Sequence, residues 1–93
     1  MAAATVASLI LEYLKREGVR AVFGIPGGQV TPLFDALYHE PAIRTIATRH
    51  EAGAAFMAAG YARACGRLGV CCLTTGPGTT NALTALAAAK ADC

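Results

Sequence analysis

Three times along this chain a short run of β-branched and apolar residues ends abruptly at a corner and gives way to a segment of helical periodicity. "VRAVFGIPGG" leads into "QVTPLFDALYHE", "AIRTIATRHE" into the alanine-rich stretch Glu51 to Cys65, and the strand Val70 to Thr75 into a helix from about Thr79 to Lys90. Another helix comes first. Val6, Leu9, Ile10, Tyr13 and Leu14 recur at helical spacing between about residues 5 and 17, Glu12, Lys15 and Arg16 take the other face, and Gly18 supplies the stop. Strands that alternate with helices predict an α/β fold, a parallel sheet with flanking helices.

In a sheet of this kind every strand points the same way, so the loops that leave the strands collect along one edge. Three loops then meet: Ile25-Pro26-Gly27-Gly28, Arg49-His50-Glu51 and Thr75-Gly76-Pro77-Gly78. Ligands of open α/β sheets bind in the crevice beyond that edge. Glu51 stands out there as the acid heading an otherwise apolar helix, "EAGAAFMAAGYARAC". The plain reading is a carboxylate that complements the positive end of the helix. Its place between two glycine-rich loops favours a functional one, in which apolar surroundings raise the pKa and leave an acid able to share a proton. His50 reads either as an acid-base group or as a packed, hydrogen-bonded residue, and Asn81 either as a ligand contact or as a helix cap. Gly53, Gly60 and the alanines of this helix read as close-packing positions, and Met57 and Tyr61 as core.

The bulk properties narrow the classes. At 93 residues, 55% of them apolar, the chain is one domain or less, with the composition of a packed interior. A net charge of +2 is too small and scattered for a nucleic-acid binder. Cys65, Cys71, Cys72 and Cys93 form no C-x-x-C pair, so no thiolate metal site is expected. Cys71 and Cys72, adjacent in a strand, point to opposite faces and are read with the others as reduced, buried thiols, which places the protein in the cytoplasm. The N-terminal stretch has no basic n-region and its apolar run is soon interrupted, so neither a signal peptide nor a membrane span is expected.

Glycine-rich turns at helix starts commonly bind phosphate, yet neither "GIPGGQ" nor "GPGTTN" fits G-x-G-x-x-G, and no G-x-x-x-x-G-K-[ST] occurs. An anionic side chain between the loops would repel phosphate. It suits a flat, neutral, nitrogen-containing ring, with glycines letting the backbone approach the ring edge.

"VFGIPGGQVTPLFDAL" and "RHEAGAAFMAAGYARACGRLGVCCLTTGPGTTNALTALAAAKAD" resemble the N-terminal pyrimidine-binding domain of thiamine-diphosphate-dependent enzymes of the acetolactate synthase, pyruvate oxidase and benzoylformate decarboxylase type. The F-G-x-P-G-G turn, R-H-E and T-x-G-P-G-x-x-N carry that resemblance in order and spacing over nearly the whole chain. It implies that Glu51 hydrogen-bonds the pyrimidine N1' of thiamine diphosphate and drives the 4'-amino group toward the imino form that takes the proton from C2. It further implies that Pro26, Gly27 and Gly28 wall the glutamate and that Thr75, Gly76, Pro77, Gly78 and Asn81 lie against the ring. The substrate class would be a 2-keto acid, and "PGGQVTPLFDAL" leans toward the acetolactate synthase type. On this resemblance residues 1–93 are a partial pyrimidine-binding domain, the first three strand–helix units of the fold. Mg²⁺ and the diphosphate would be held by a domain absent from the chain, FAD would belong to the full-length relative, and the complete enzyme would be a homo-oligomer. The chain by itself would be inactive. A non-catalytic interaction module that keeps the fold, and a Rossmann-type nucleotide-binding module without its fingerprint, are the other readings.

Overall fold

The computed structural model describes residues 4–92. Helix α1 (Val6–Arg16) is opened by a capping box: the Ser8 amide donates to Thr5 Oγ1 at 3.0 Å and the Thr5 amide to Ser8 Oγ at 2.8 Å. It is followed by β1 (Ala21–Gly24), a 3₁₀ turn (Gly28–Val30), α2 (Thr31–Tyr38), β2 (Arg44–Ala47), α3 (Glu51–Cys65), β3 (Val70–Cys72), α4 (Pro77–Asn81) and α5 (Leu83–Asp92). The three strands are parallel in the order β2-β1-β3, with Val22 paired to Thr45 on one side and to Val70 on the other. The expected α/β class and parallel sheet are therefore present.

Central position explains why β1 is buried throughout. Its side chains alternate between two layers, as the pleat requires. Val22 faces α1 and α2 with Leu11, Leu37 and Ile43, while Ala21 and Phe23 face α3 with Ala54 and Ala58. Cys72 joins the first layer and Cys71 the second, so the adjacent thiols do point apart. Tyr61 meets the Phe23 ring edge-on at 5.8 Å between centroids. The alanines of α3 let its backbone lie almost on the sheet side: a Cβ at Gly69 would come 2.1 Å from the Ala58 carbonyl oxygen. Ala55 of α3 packs with Ala82, just before α5, and Ala85 of α5 in a third buried cluster.

Several sequence expectations are corrected. The helix expected as one piece from Thr79 to Lys90 starts at Pro77 and breaks at Ala82, whose amide bonds back to Thr79 at 3.1 Å while its methyl is buried against Ala55. The apolar stripe of α1 meets the core only in part: Leu14 packs against it beside the buried Ala7 and Leu11, whereas Val6, Leu9, Ile10 and Tyr13 are exposed. Met57 is also exposed, not core. Cys65 is exposed and Cys71 and Cys72 are half-buried, so the thiols are free but not uniformly buried; Cys93 lies outside the described residues. No helix among the described residues is long and apolar enough to cross a membrane.

Candidate functional site

Because β1 lies between β2 and β3, the chain leaves it to one side for β2 and returns to the other for β3. The strand order thus reverses beside β1, the kind of point at which open α/β sheets form a crevice beyond the carboxyl ends of their strands. Loop 25–28 leaves β1, loop 48–50 leaves β2 and loop 73–76 leaves β3, so the three predicted loops do meet at one edge. The Thr48 amide donates to Gly24 O at 3.0 Å, which ties the β2 exit to the end of β1.

Glu51 is the first residue of α3. His50 is its N-cap, with Nδ1 accepting from the Ala52 amide at 3.0 Å, so this histidine orients the helix start and that nitrogen is occupied. From across the crevice Asn81, on the last turn of α4, donates from Nδ2 to Glu51 Oε1 at 3.0 Å. Asn81 is thus a partner of Glu51 and not a cap. The second oxygen, Oε2, lies 3.8 Å from the point a Cβ would occupy on Gly78.

The charge state of Glu51 differs from expectation. The Asn81 amide, and then the Glu51 backbone N–H at the helix start, hold its carboxyl below the usual carboxylate range against a smaller opposing effect of burial. Composition suggested an oily surrounding, but the residue is only partly buried and its neighbours on the edge are donors. The carboxylate is ionised and oriented.

The glycines of the two loops have distinct reasons to be glycine. Gly76 turns at φ 66°, ψ −123°, a conformation closed to side chains, and feeds Pro77 at the first turn of α4. Gly27 and Gly78 both abut Thr74: a Cβ on Gly27 would stand 2.9 Å from Thr74 Cβ, and one on Gly78 2.8 Å from Thr74 Cγ2. Gly28 faces open space, with nothing within 4 Å of where a Cβ would be. Pro26, Gly28, Thr75 and Pro77 are exposed on the rim, and no contact with Glu51 is found for them. Thr74 was passed over in the sequence. Its only signal there is a β-branched residue just before the corner.

Among the described residues no three of His, Cys, Asp and Glu come together as a metal site. This edge of the sheet carries an anchored carboxylate with an amide beside it, and an exposed glycine, Gly28, on the loop from β1.

This is the arrangement of a cofactor-binding domain, and the chain belongs to the thiamine pyrophosphate enzyme family, N-terminal TPP binding domain, whose model matches residues 4–93. It is 48% identical over 88 residues to an acetolactate synthase of Mycobacterium avium, covering 95% of this chain and 14% of that protein. It is 49% identical over 86 residues to the acetolactate synthase isozyme 2 large subunit of Escherichia coli, covering 92% of this chain and 16% of that one. A probable acetolactate synthase large subunit of Methanocaldococcus jannaschii is 50% identical over 86 residues, again covering 92% of this chain and 14% of that protein. The chain therefore spans about one seventh of the length of these relatives.

Proposed function

We propose that these residues form the aminopyrimidine-binding side of the active site of an acetolactate synthase-like enzyme, a homo-oligomer in the cytoplasm that acts on 2-keto acids. The observation that carries the reading is the Glu51 carboxylate, fixed on Oε1 by Asn81 and opened toward the crevice by Gly78. Free thiols at Cys65, Cys71 and Cys72 support a reducing compartment. Mg²⁺ and the diphosphate contacts, with FAD where the enzyme carries it, we assign to other parts of such an enzyme.

When bound, thiamine diphosphate supplies the carbon nucleophile that protein side chains lack. The chain supplies orientation and proton control. On this reading Gly28 and Pro26, on the loop from β1, would bound one side of the ring site, and the α4 start would bound the other. With a ring bound over it, Glu51 would lose water from its carboxylate, its pKa would rise from its lowered starting point, and it would take up a proton. Glu51 then holds that proton toward the ring nitrogen, while Asn81 keeps the carboxyl plane in place. The N-cap bond of His50 keeps the first turn of α3 from fraying during the exchange.

The test is Glu51→Gln in the complete protein, followed by hydrogen–deuterium exchange at C2 of the bound cofactor. Glutamine keeps the shape but carries no exchangeable acid, so exchange is expected to slow by about 100- to 10,000-fold. Occupancy is measured in parallel, and an unchanged rate at full occupancy would remove the basis of the reading.

A further inference from the structure

The Thr74 side chain lies between the two glycine-rich loops, where it occupies the space that a Cβ would need on either of them. Its Cβ, Oγ1 and Cγ2 lie 2.9, 3.1 and 3.3 Å from the position of a Cβ on Gly27, and its Cγ2 lies 2.8 Å from that on Gly78. Below 3.0 Å something must shift, so a methyl on either glycine would have to displace Thr74 or the loop that carries the glycine. Thr74 is bound to α4 by its backbone as well, since Thr79 Oγ1 donates to Thr74 O at 3.1 Å. On the other side, the Gly27 carbonyl takes the Val30 amide at 3.0 Å and Thr31 Oγ1 at 3.1 Å, which joins that loop to the start of α2. One side chain thereby sets the gap between the start of α2 and the start of α4.

Helix α4 has only five residues, from Pro77 to Asn81, so the seat of Gly78 on Thr74 determines where Asn81 points. We propose that Thr74 is a positioning residue: by spacing α4 from the β1 loop it aims Asn81 at Glu51 and sets the width of the ring site. The role in the ring site rests on the thiamine diphosphate reading, whereas the aim of Asn81 does not. No titratable side chain occurs in loop 25–28 or in α4, and the charged or titratable neighbours of Glu51 on its own segment are His50 and Arg49. A methyl on Gly78 would itself stand 3.8 Å from Glu51 Oε2 and could desolvate it, an effect that Thr74→Ser does not remove, so only the part of a Glu51 shift that Thr74→Ser reverses reports the Asn81 bond.

The geometry makes an asymmetric prediction about rescue. Serine at position 74 lacks Cγ2, so its nearest approach to a Gly78 Cβ relaxes to the 3.7 Å of Thr74 Cβ, an ordinary contact. The same serine keeps Cβ and Oγ, so it leaves the Gly27 clash at 2.9 and 3.1 Å. Gly78→Ala, Gly27→Ala and each combined with Thr74→Ser are made in the complete protein. Gly78→Ala is expected to raise the midpoint of the ¹³C carboxyl titration of Glu51, measured without cofactor, and to lower turnover by ~100-fold, as a displacement of about 1 Å does. Thr74→Ser should return both to near their starting values in the Gly78→Ala protein and neither in the Gly27→Ala protein. Should Gly78→Ala fail to fold, recovery of the fold by Thr74→Ser is the same rescue. A Glu51 titration unmoved by Gly78→Ala, rescue of both alanines, or rescue of neither overturns the proposal. If the titration moves and is rescued but cofactor binding never responds, Thr74 keeps its role toward Asn81 and the thiamine diphosphate reading fails by itself.

Discussion

Gly24→Ala and Gly28→Ala add the same methyl group four residues apart, and the structure assigns them opposite outcomes. Gly24 ends the central strand opposite Cys72, and a Cβ there would lie 2.1 Å from the Cys72 carbonyl oxygen and 3.2 Å from Phe34 Cζ. That is more than 1 Å inside ordinary contact, which begins near 3.4 Å. The obstacle is backbone, so no rotamer change relieves it, and β3 must move away from β1. A shift of that size takes an N–H···O bond from its usual ~2.9 Å beyond 3.5 Å, outside hydrogen-bond range. Losing one or two such bonds, each worth about 0.5–1.5 kcal/mol, and overpacking the strand end by about 1–3 kcal/mol gives a destabilisation of about 1.5–6 kcal/mol. Against the 5–15 kcal/mol typical of whole domains the loss is severe. Gly28 has nothing within 4 Å and a φ open to any residue, so alanine there is expected to change stability by less than about 0.5 kcal/mol. Its methyl would instead project into the crevice and weaken cofactor binding in the complete protein. Urea titration followed by circular dichroism measures the first quantity and calorimetric cofactor titration the second. Equal stability losses for the two variants, or a stable Gly24→Ala, would refute the close β1–β3 approach on which the site's geometry depends.

Asn81→Ala removes the donor that keeps Glu51 ionised, so the Glu51 titration midpoint should rise. Because the folded carboxyl has a lowered pKa, its stabilising contribution is present above the unfolded value and lost as pH falls through the folded one. The gap in thermal midpoint between wild type and Asn81→Ala should therefore close as pH drops below that range, and a gap that widens in acid contradicts the assignment. The free side of β3 and the exposed Val6, Leu9 and Ile10 of α1 should make the 93-residue chain associate. Light scattering that shows a monomer, with protected amides from Val70 to Cys72, would count against this. The same chain should bind thiamine diphosphate with Mg²⁺ no better than millimolar, as read by calorimetry, if the proposed site meets only the ring; micromolar binding would be inconsistent with that proposed division of the site.

How much of this was legible in the residues depends on the range of the forces involved. The alternation of strands and helices, the corners at Gly18, Gly66 and Gly76, and the gathering of three loops at one edge follow from local periodicity and from backbone angles that only glycine adopts freely. These need no knowledge of what packs against what, and the sequence determined them alone. The strand order β2-β1-β3, which creates the crevice, was not legible, because a four-residue apolar strand reads the same at the centre or the edge of a sheet. Neither was the exposed face of α1, where helical spacing showed a stripe but not which side meets the sheet. The break at Ala82, whose methyl is buried against α3, carried no local mark in the sequence. Glu51 shows the division most clearly. Its identity and its place at a helix start were plain, but its ionisation is set by Asn81, thirty positions away in the chain, and its surroundings by a threonine seated between two glycine loops. Electrostatic and steric effects act over a few ångströms in space, so only the tertiary structure, which brought those residues together, decided what kind of acid Glu51 is.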